Sequence, residues 1–423
     1  VTGERRVVVT GLGAVTPSGL DVPSAWDAIS RGRSAVARLD GPEYDGQRVR
    51  IGARVGGFDA SRVADPREAR RLSRVLLWAL AAADEALAHA GAAGGEPVRD
   101  PDHVASPWDP GRVDVIAATG SGPVDVMQDA TRAHDARGPR AVPAALALYG
   151  SPDAAATLVA RRHGWEGATL GVSAACASGA IGIGDGLRRI RHGYADAVLV
   201  VGMDDLLGPV NLAANANIGA LASATGDPAA ASRPFDRGRT GYVMAQGAAA
   251  VLLESSDGAQ DRGARAIAEV AGFGASNDAH HAASPHPDGA GAARAIRACL
   301  VDAGVRPDDV DHVNAHATGT PIGDAAELAA LDAALGARVR RIPVTATKSS
   351  TGHLLGASGV LDAIVSVLTI DGGVIPPTRN LDDPEPGWDF VASPRRTTVG
   401  AVLSTSFGFG GHNAALVLRA SRR

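Results

Sequence analysis

Two kinds of stretch alternate along the chain. Short, nearly unbroken apolar runs, the first being Arg6-Val-Val-Val-Thr-Gly-Leu-Gly13, read as buried strands. Longer stretches place apolar residues three and four apart, as at Leu72, Leu76, Leu80, Ala83 and Leu87, and read as helices with a buried face. Their alternation predicts an α/β layered fold. The pattern also runs twice. The first run, read as a strand ending in a glycine turn, has a counterpart in Ala268-Glu-Val-Ala-Gly-Phe-Gly274. The helix closing on His-Ala-Gly at Gly91 is matched by one around Ala295 to Val301 closing on Asp-Ala-Gly at Gly304. "VDVIAATGSG" from Val113 is matched by "VDHVNAHATG" from Val310. A strand at 168–172 leads into a helix starting near Cys176, and one at 342–345 into a helix starting near His353. Four pairs in one order predict two similar halves, 1–256 and 257–423, joined near 257–264.

The last pair of helices is unusual in composition. They read "CASGAIGIGDG" and "GHLLGASGVLD". Each glycine in a helix costs about 1 kcal/mol relative to alanine, so close packing has to offset the loss. Gly179, Gly182 and Gly186 are spaced to form one flat face. The two helices are therefore expected to pack together at the centre, with sheets outside.

Composition narrows the class of protein. The chain has 423 residues, 45% hydrophobic and 21% charged, enough for a sizeable core, and its net charge of −5 gives no sign of nucleic-acid binding. Two cysteines exclude a disulfide framework and a cysteine-rich zinc site, and suit a reducing cytoplasm. Val7 to Val9 is too short for a signal-peptide core, and no apolar run is read as approaching the ~20 residues of a bilayer span. The expectation is a soluble, cytoplasmic protein with no membrane partner.

Cys176 sits in "GVSAACASGA", among residues that leave room around the sulfur. A lone cysteine is more often packing than nucleophile, and Cys299, in the amphipathic "IRACLVDAG", is read that way. If the central helices start near each other, Cys176 faces polar residues of the second half: His316, Thr318, Thr320 and Asp324, together with Lys348 and His353.

Taken together, "VVVTGLGAVTP", the cysteine motif, "VNAHATGTPIGDAAE", "TKSSTGHLLGASG" and "SFGFGGHNAALVL" resemble the elongating β-ketoacyl-[acyl-carrier-protein] synthases, synthase II above all, almost end to end. The resemblance implies a thiolase-like α/β fold, two pseudo-symmetric halves in α-β-α-β-α layers. It implies an acyltransferase that condenses a Cys176 thioester with malonyl-carrier protein, with His316 and His353 beside the sulfur. It makes Lys348 the active-site lysine and places Asp362 where a glutamate usually pairs with it. Asp324 and Glu327 support the site, and Thr318 and Thr320 hold the phosphopantetheine arm. Phe409 becomes the gate, its backbone N–H forming the oxyanion hole with that of Cys176. No metal or cofactor is expected beyond the arm delivered by the acyl carrier protein. Arg67, Arg70 and Arg71, expected on one helix start, would dock that carrier. His281 resembles a position near the site without an assigned role.

The chain also departs from the family pattern. Ala317 stands where glycine is usual, Thr240 and Gln246 where acidic residues are common, Ala250 where glycine is common, and Met203 in a stretch usually reading Gly-Gly-x-Glu. These leave fatty-acid and type II polyketide or polyene elongation both open, and likewise a homodimer and a heterodimer with a chain-length-factor-like subunit. The rival reading is that the chain is itself that non-catalytic partner, against which the cysteine and both histidines speak. A thiolase would carry a second catalytic cysteine late in the chain, and an initiating synthase a Cys-His-Asn set.

Overall fold

The computed structural model describes residues 5–92, 106–223 and 226–421. Ten strands form its main sheet: β1 (Val7–Val15), β2 (Val113–Ala118), β3 (Thr169–Val172), β4 (Ala197–Asp205), β5 (Gln246–Ser255), β6 (Ala268–Asn277), β7 (His312–Asn314), β8 (Val344–Thr345), β9 (Ala401–Gly408) and β10 (His412–Ala420). Six helices frame it: α1 (Arg74–His89), α2 (Ala154–His163), α3 (Ser178–Arg191), α4 (Ala290–Ala303), α5 (Pro321–Leu335) and α6 (Ser358–Gly372). The strand order, β8-β7-β9-β10-β6-β1-β5-β4-β2-β3, reads the same from both ends once each strand is exchanged for the one five places away. Pairing directions match too, β2 lying parallel to β3 and β4 as β7 does to β8 and β9. The repeat seen in the sequence is a pseudo-twofold fold.

The halves meet through a short antiparallel contact between β1 and β6, Val8 opposite Glu269 and Val9 opposite Ala268. The sheets expected outside the central helices are joined by this contact into one ten-stranded sheet that folds over them. α3 touches β2, β4 and β5 of its own half and β6 and β10 of the other; α6 touches β6, β9 and β10 and also β4 and β5. α1 and α2 cover the first half outside, and α4, backed by α5, the second. One apolar cluster fills the central layer with residues of both halves, including Val9, Ile183, Val200, Val360 and Leu416, and separate clusters lie under α1 and α4. The stretch Leu355–Gly372, with mean hydropathy 1.5, is long and apolar enough to cross a bilayer by length and composition, contrary to the sequence expectation; 72% of it is buried inside the protein as the α6 segment.

The glycines explain two further differences. The pairs at Gly11/Gly13 and Gly272/Gly274 do not end their strands in turns; β1 and β6 run through them. A Cβ at Gly13 would lie 1.9 Å from the Ala82 carbonyl oxygen on α1, and one at Gly274 2.0 Å from that of Ala295 on α4. Glycine is needed there because a helix backbone rests on the strand. Each strand also carries a bulge at the equivalent place, residue 10 being skipped in the β1–β5 register and residue 271 in β6–β10. In the central layer the helix crossing is set by Gly179 and Gly359. A Cβ on Gly359 would lie 2.5 Å from the Ala180 backbone nitrogen, and one on Gly179 2.7 Å from the Gly356 oxygen. Gly182 and Gly186 face Val200, Val198 and Leu253 of the sheet, so the three glycines do not form one helix-facing surface.

Candidate active site

The first half presents Cys176 two residues ahead of α3, just before its N-cap Ala177. The preceding Ala175 has φ +50°, a left-handed conformation rare without glycine, which turns the cysteine out of the chain path. Ser178 closes this turn: its Oγ accepts from the Ala174 N–H at 2.8 Å and donates to the Ala175 carbonyl at 2.7 Å. Gly408, at the end of β9, lies against the turn, where a Cβ would be 2.9 Å from the Ala174 oxygen and 3.0 Å from the Cys176 nitrogen.

The second half brings the imidazoles. His353 was expected at a helix start, but α6 begins five residues later; a short helix, Lys348–Thr351, precedes it instead. His353 is anchored across the halves. Its N–H donates to the Val243 carbonyl at 2.8 Å, and its carbonyl accepts from the Ala245 N–H at 3.0 Å. Its Nε2 lies 3.0 Å from Cys176 Sγ and its Nδ1 3.0 Å from Ser358 Oγ, the first residue of α6. Ser358 Oγ also accepts the Leu354 N–H at 2.9 Å. A hydroxyl can donate to Nδ1 or accept from it, so Nε2 can be acceptor or donor toward Cys176. His316 stands edge-on to His353, ring centroids 5.4 Å apart, and edge-on to Phe407 at 5.9 Å.

Carboxylates hold this frame. Glu327 on α5 accepts from the backbone N–H of His316 and Ala317 at 2.9 and 2.7 Å and from Thr405 Oγ1 at 2.6 Å. Asp324, one turn earlier, accepts from the N–H of Phe235 and Gly319 at 2.8 and 3.0 Å. Burial pushes its carboxyl up to about 7, against the pull of those donors and of Arg239. Lys348 Nζ donates to Asp362 Oδ2 at 2.7 Å with both side chains buried, and Thr347 Oγ1 donates to the other oxygen at 3.1 Å. The shorter aspartate thus still reaches the lysine. Burial pushes Asp362 up, and the Lys348 ammonium pulls it back.

Sequence reasoning missed two groups. Asp204, at the end of β4, accepts from Thr119 Oγ1 and from the N–H of Gly120, Ser121 and Gly356, at 2.7 to 2.9 Å. It ties the loop after β2 to the segment before α6, and burial pushes its carboxyl up to about 6. Ser358 is the other. Their signals were an acidic residue closing an apolar strand and a serine five places after a histidine.

Burial dominates the electrostatics. It pushes the Cys176 thiol up to about 12, against the pull of Lys348 and of the backbone N–H groups of Cys176 and Phe409. A cysteine just ahead of a helix favours the thiolate, but here loss of hydration outweighs the helix end and the thiol keeps its proton. His316 and His353 are held well below the usual imidazole range, first by burial and then by Lys348. Both are neutral at rest, as an uncharged donor pair requires.

These groups open on a cavity of about 410 Å³, lined by Cys176, both imidazoles, Phe409, Thr318 and Thr320. The two threonine hydroxyls lie 3.4 Å apart. His281 also lines it. Arg67, Arg70 and Arg71 are not on one helix start: Arg67 lies in the short helix Pro66–Ala69, Arg70 caps it, and Arg71 is in the connection to α1, all three exposed. The ligand atoms of Cys176, His316 and His353 lie within 4.8 Å of one another, close enough to share an ion, so the cluster alone does not separate acyl transfer from metal binding.

Comparison with known proteins separates them. Residues 4–259 match the family model of the β-ketoacyl synthase N-terminal domain, and 267–382 that of its C-terminal domain. The chain belongs to the β-ketoacyl synthase family. The synthase is 36% identical over 419 residues to 3-oxoacyl-[acyl-carrier-protein] synthase 2 of Synechocystis sp., covering 98% of each chain. It superposes with TM-score 0.88 on the ishigamide ketosynthase/chain length factor, at 31% identity over 99% of this chain and 100% of that one. A type II PKS ketosynthase in complex with its acyl-carrier protein and bound to the hexaketide gives the same TM-score at 29% identity, with the same coverage. The synthase is a condensing enzyme, since a non-catalytic partner subunit would not account for the cysteine and both histidines meeting at one cavity.

Proposed function

We propose that the protein elongates carrier-bound acyl chains by decarboxylative condensation with malonyl-carrier protein. The contact that carries this reading is Cys176 Sγ to His353 Nε2, at 3.0 Å, in the cavity that His316 also lines. In the first step Sγ bonds to the thioester carbonyl of the incoming acyl group. The thiol proton passes through His353 Nε2 to the departing pantetheine sulfur. A neutral thiol with an imidazole in contact needs no resting thiolate for this. Backbone N–H groups of Cys176 and Phe409 face the oxyanion that forms and collapses.

In the second step the malonyl C–CO2 bond breaks, and its electron pair becomes an enolate. Between the steps His353 loses its Nδ1 proton and gains one on Nε2 by exchange with water, and the Ser358 hydroxyl turns to donate to Nδ1; the Nε2–H groups of His316 and His353 then donate to the enolate oxygen. The carbanion attacks the acyl carbonyl, the bond to Sγ breaks, and the thiolate regains a proton from solvent. Lys348 acts through its charge from behind, tied by Asp362. The division of labour follows the halves: 1–256 supply the nucleophile, 257–423 the imidazoles and the glycine-rich gate loop.

The carrier reading draws on the names of the relatives, on the paired threonines as a grip for the phosphopantetheine arm, and on the exposed Arg67, Arg70 and Arg71 facing an acidic carrier. The half-exposed β3 ends the sheet with an edge that no strand among the described residues pairs, which suits a second subunit, this chain or a chain-length-factor-like one. Two free cysteines suit a cytoplasmic location. The test is to follow acyl-enzyme formation and CO2 release separately. Acyl label should map to Cys176. His316→Ala should still take the acyl group but release CO2 about 10²–10³ more slowly. Label on Cys299, or blocked acylation with unimpaired decarboxylation, would overturn the assignment.

A further inference from the structure

The loop after β6 places His281 on the lining of the active-site cavity, at an exposed position. Its Nδ1 accepts two backbone N–H groups, those of Ala283 and Ser284, each at 3.1 Å. Two donors at Nδ1 fix the plane of the ring and put its proton on Nε2. Among the described residues Nε2 has no partner. The loop itself is tied down: Asn277 Oδ1 accepts the Ala279 N–H, Asp278 accepts from the His286 N–H and from Asn413 Nδ2, and the Gly410 N–H donates to the Ala282 carbonyl at 2.7 Å. An oriented N–H donor is thus held on a braced loop.

The rest of the lining sharpens its role. Among the described residues no lysine or arginine lines the cavity. The other two imidazoles there, His316 and His353, are neutral, and the lining carboxylates Asp278, Asp324 and Glu327 already accept protein donors. Among the described lining residues, an anion entering this cavity meets in His281 an exposed imidazole whose Nε2–H is oriented and has no protein partner. A carrier-borne arm brings such an anion: the phosphodiester at its outer end. The malonyl carboxylate is also an anion, but it travels inward on the carbon that attacks at Cys176, whereas His281 is open to solvent.

We propose that His281 binds the phosphodiester of the phosphopantetheine arm through Nε2–H, setting how deep the thioester end reaches. This rests on the condensing function proposed above. The test compares malonyl-carrier protein, malonyl-phosphopantetheine and malonyl-N-acetylcysteamine, which lacks the phosphate, as decarboxylation substrates. His281→Ala should lower the kcat/KM of the two phosphate-bearing substrates, relative to the phosphate-free one, by about 5–10-fold through KM. His281→Gln, which keeps an N–H donor, should recover most of that ratio. An unchanged ratio, with all three substrates affected equally or not at all, would overturn the proposal, because the contact would then be to the malonyl end or absent. Wild-type protein that decarboxylates none of the three would instead overturn the condensing reading, and the proposal with it.

Discussion

Gly359→Ala tests whether the crossing of the two central helices sets the reacting distance. The added Cβ would sit 2.5 Å from the Ala180 nitrogen, 3.1 Å from the Gly179 carbonyl carbon and 3.2 Å from its Cα. All three are backbone atoms, so no side chain can turn away. Restoring ordinary contact, about 3.4 Å or more, spreads α3 and α6 by roughly 1 Å. The stability cost is modest: overpacking costs about 1–3 kcal/mol, and alanine returns about 1 kcal/mol of helix propensity. The net loss is about 0–2 kcal/mol, a shift of a few degrees at most in the melting temperature. The catalytic cost is larger, because Ser358, which holds His353, opens α6, and Cys176 lies just ahead of α3. Moving one helix start by 1 Å takes Sγ and Nε2 from 3.0 Å to about 4 Å, the outer limit for a hydrogen bond to sulfur, and such a misplacement costs about 10²-fold in rate. Gly372→Ala is the control, on the same helix, with nothing within 4 Å of the new Cβ. Calorimetry and single-turnover acylation of both variants decide it. If Gly359→Ala acylates within about twofold of wild type while folded, the crossing does not position the centre.

Two further expectations follow from the electrostatics. A thiol pushed up to about 12 keeps its proton through neutral pH, so alkylation of Cys176 by iodoacetamide should climb about tenfold per pH unit from 7 to 9.5; a plateau below pH 8 would mean a resting thiolate. Charge reversal at Arg70 and Arg71, both exposed, should raise KM for the carrier-borne substrate several-fold and flatten its salt dependence, while sparing an N-acetylcysteamine thioester; equal losses with both substrates would move the docking face elsewhere.

Much of this protein was written in the order of its residues. The halves were legible because each repeats the same sequence of strand, helix and glycine, and because helix-on-strand contact demands glycine at the same two strand positions in each half. The identity of the reacting groups was legible as well, since few side chains can perform thiol and imidazole chemistry and the motifs around Cys176, His316, Lys348 and His353 are specific. What pattern could not decide were contacts between segments far apart in the chain. His353 leaves the helix because residues 243–245 of the other half hold its backbone. Asp204 and Ser358 look ordinary in sequence and matter only through the donors the fold brings to them. The state of the thiol lies beyond sequence for the same reason: helix ends are local and can be read from sequence, whereas desolvation is the sum of everything packed around the sulfur. Local propensity fixed the elements and their order, and burial, a property of the assembled layers alone, fixed the protonation states and distances on which the chemistry depends.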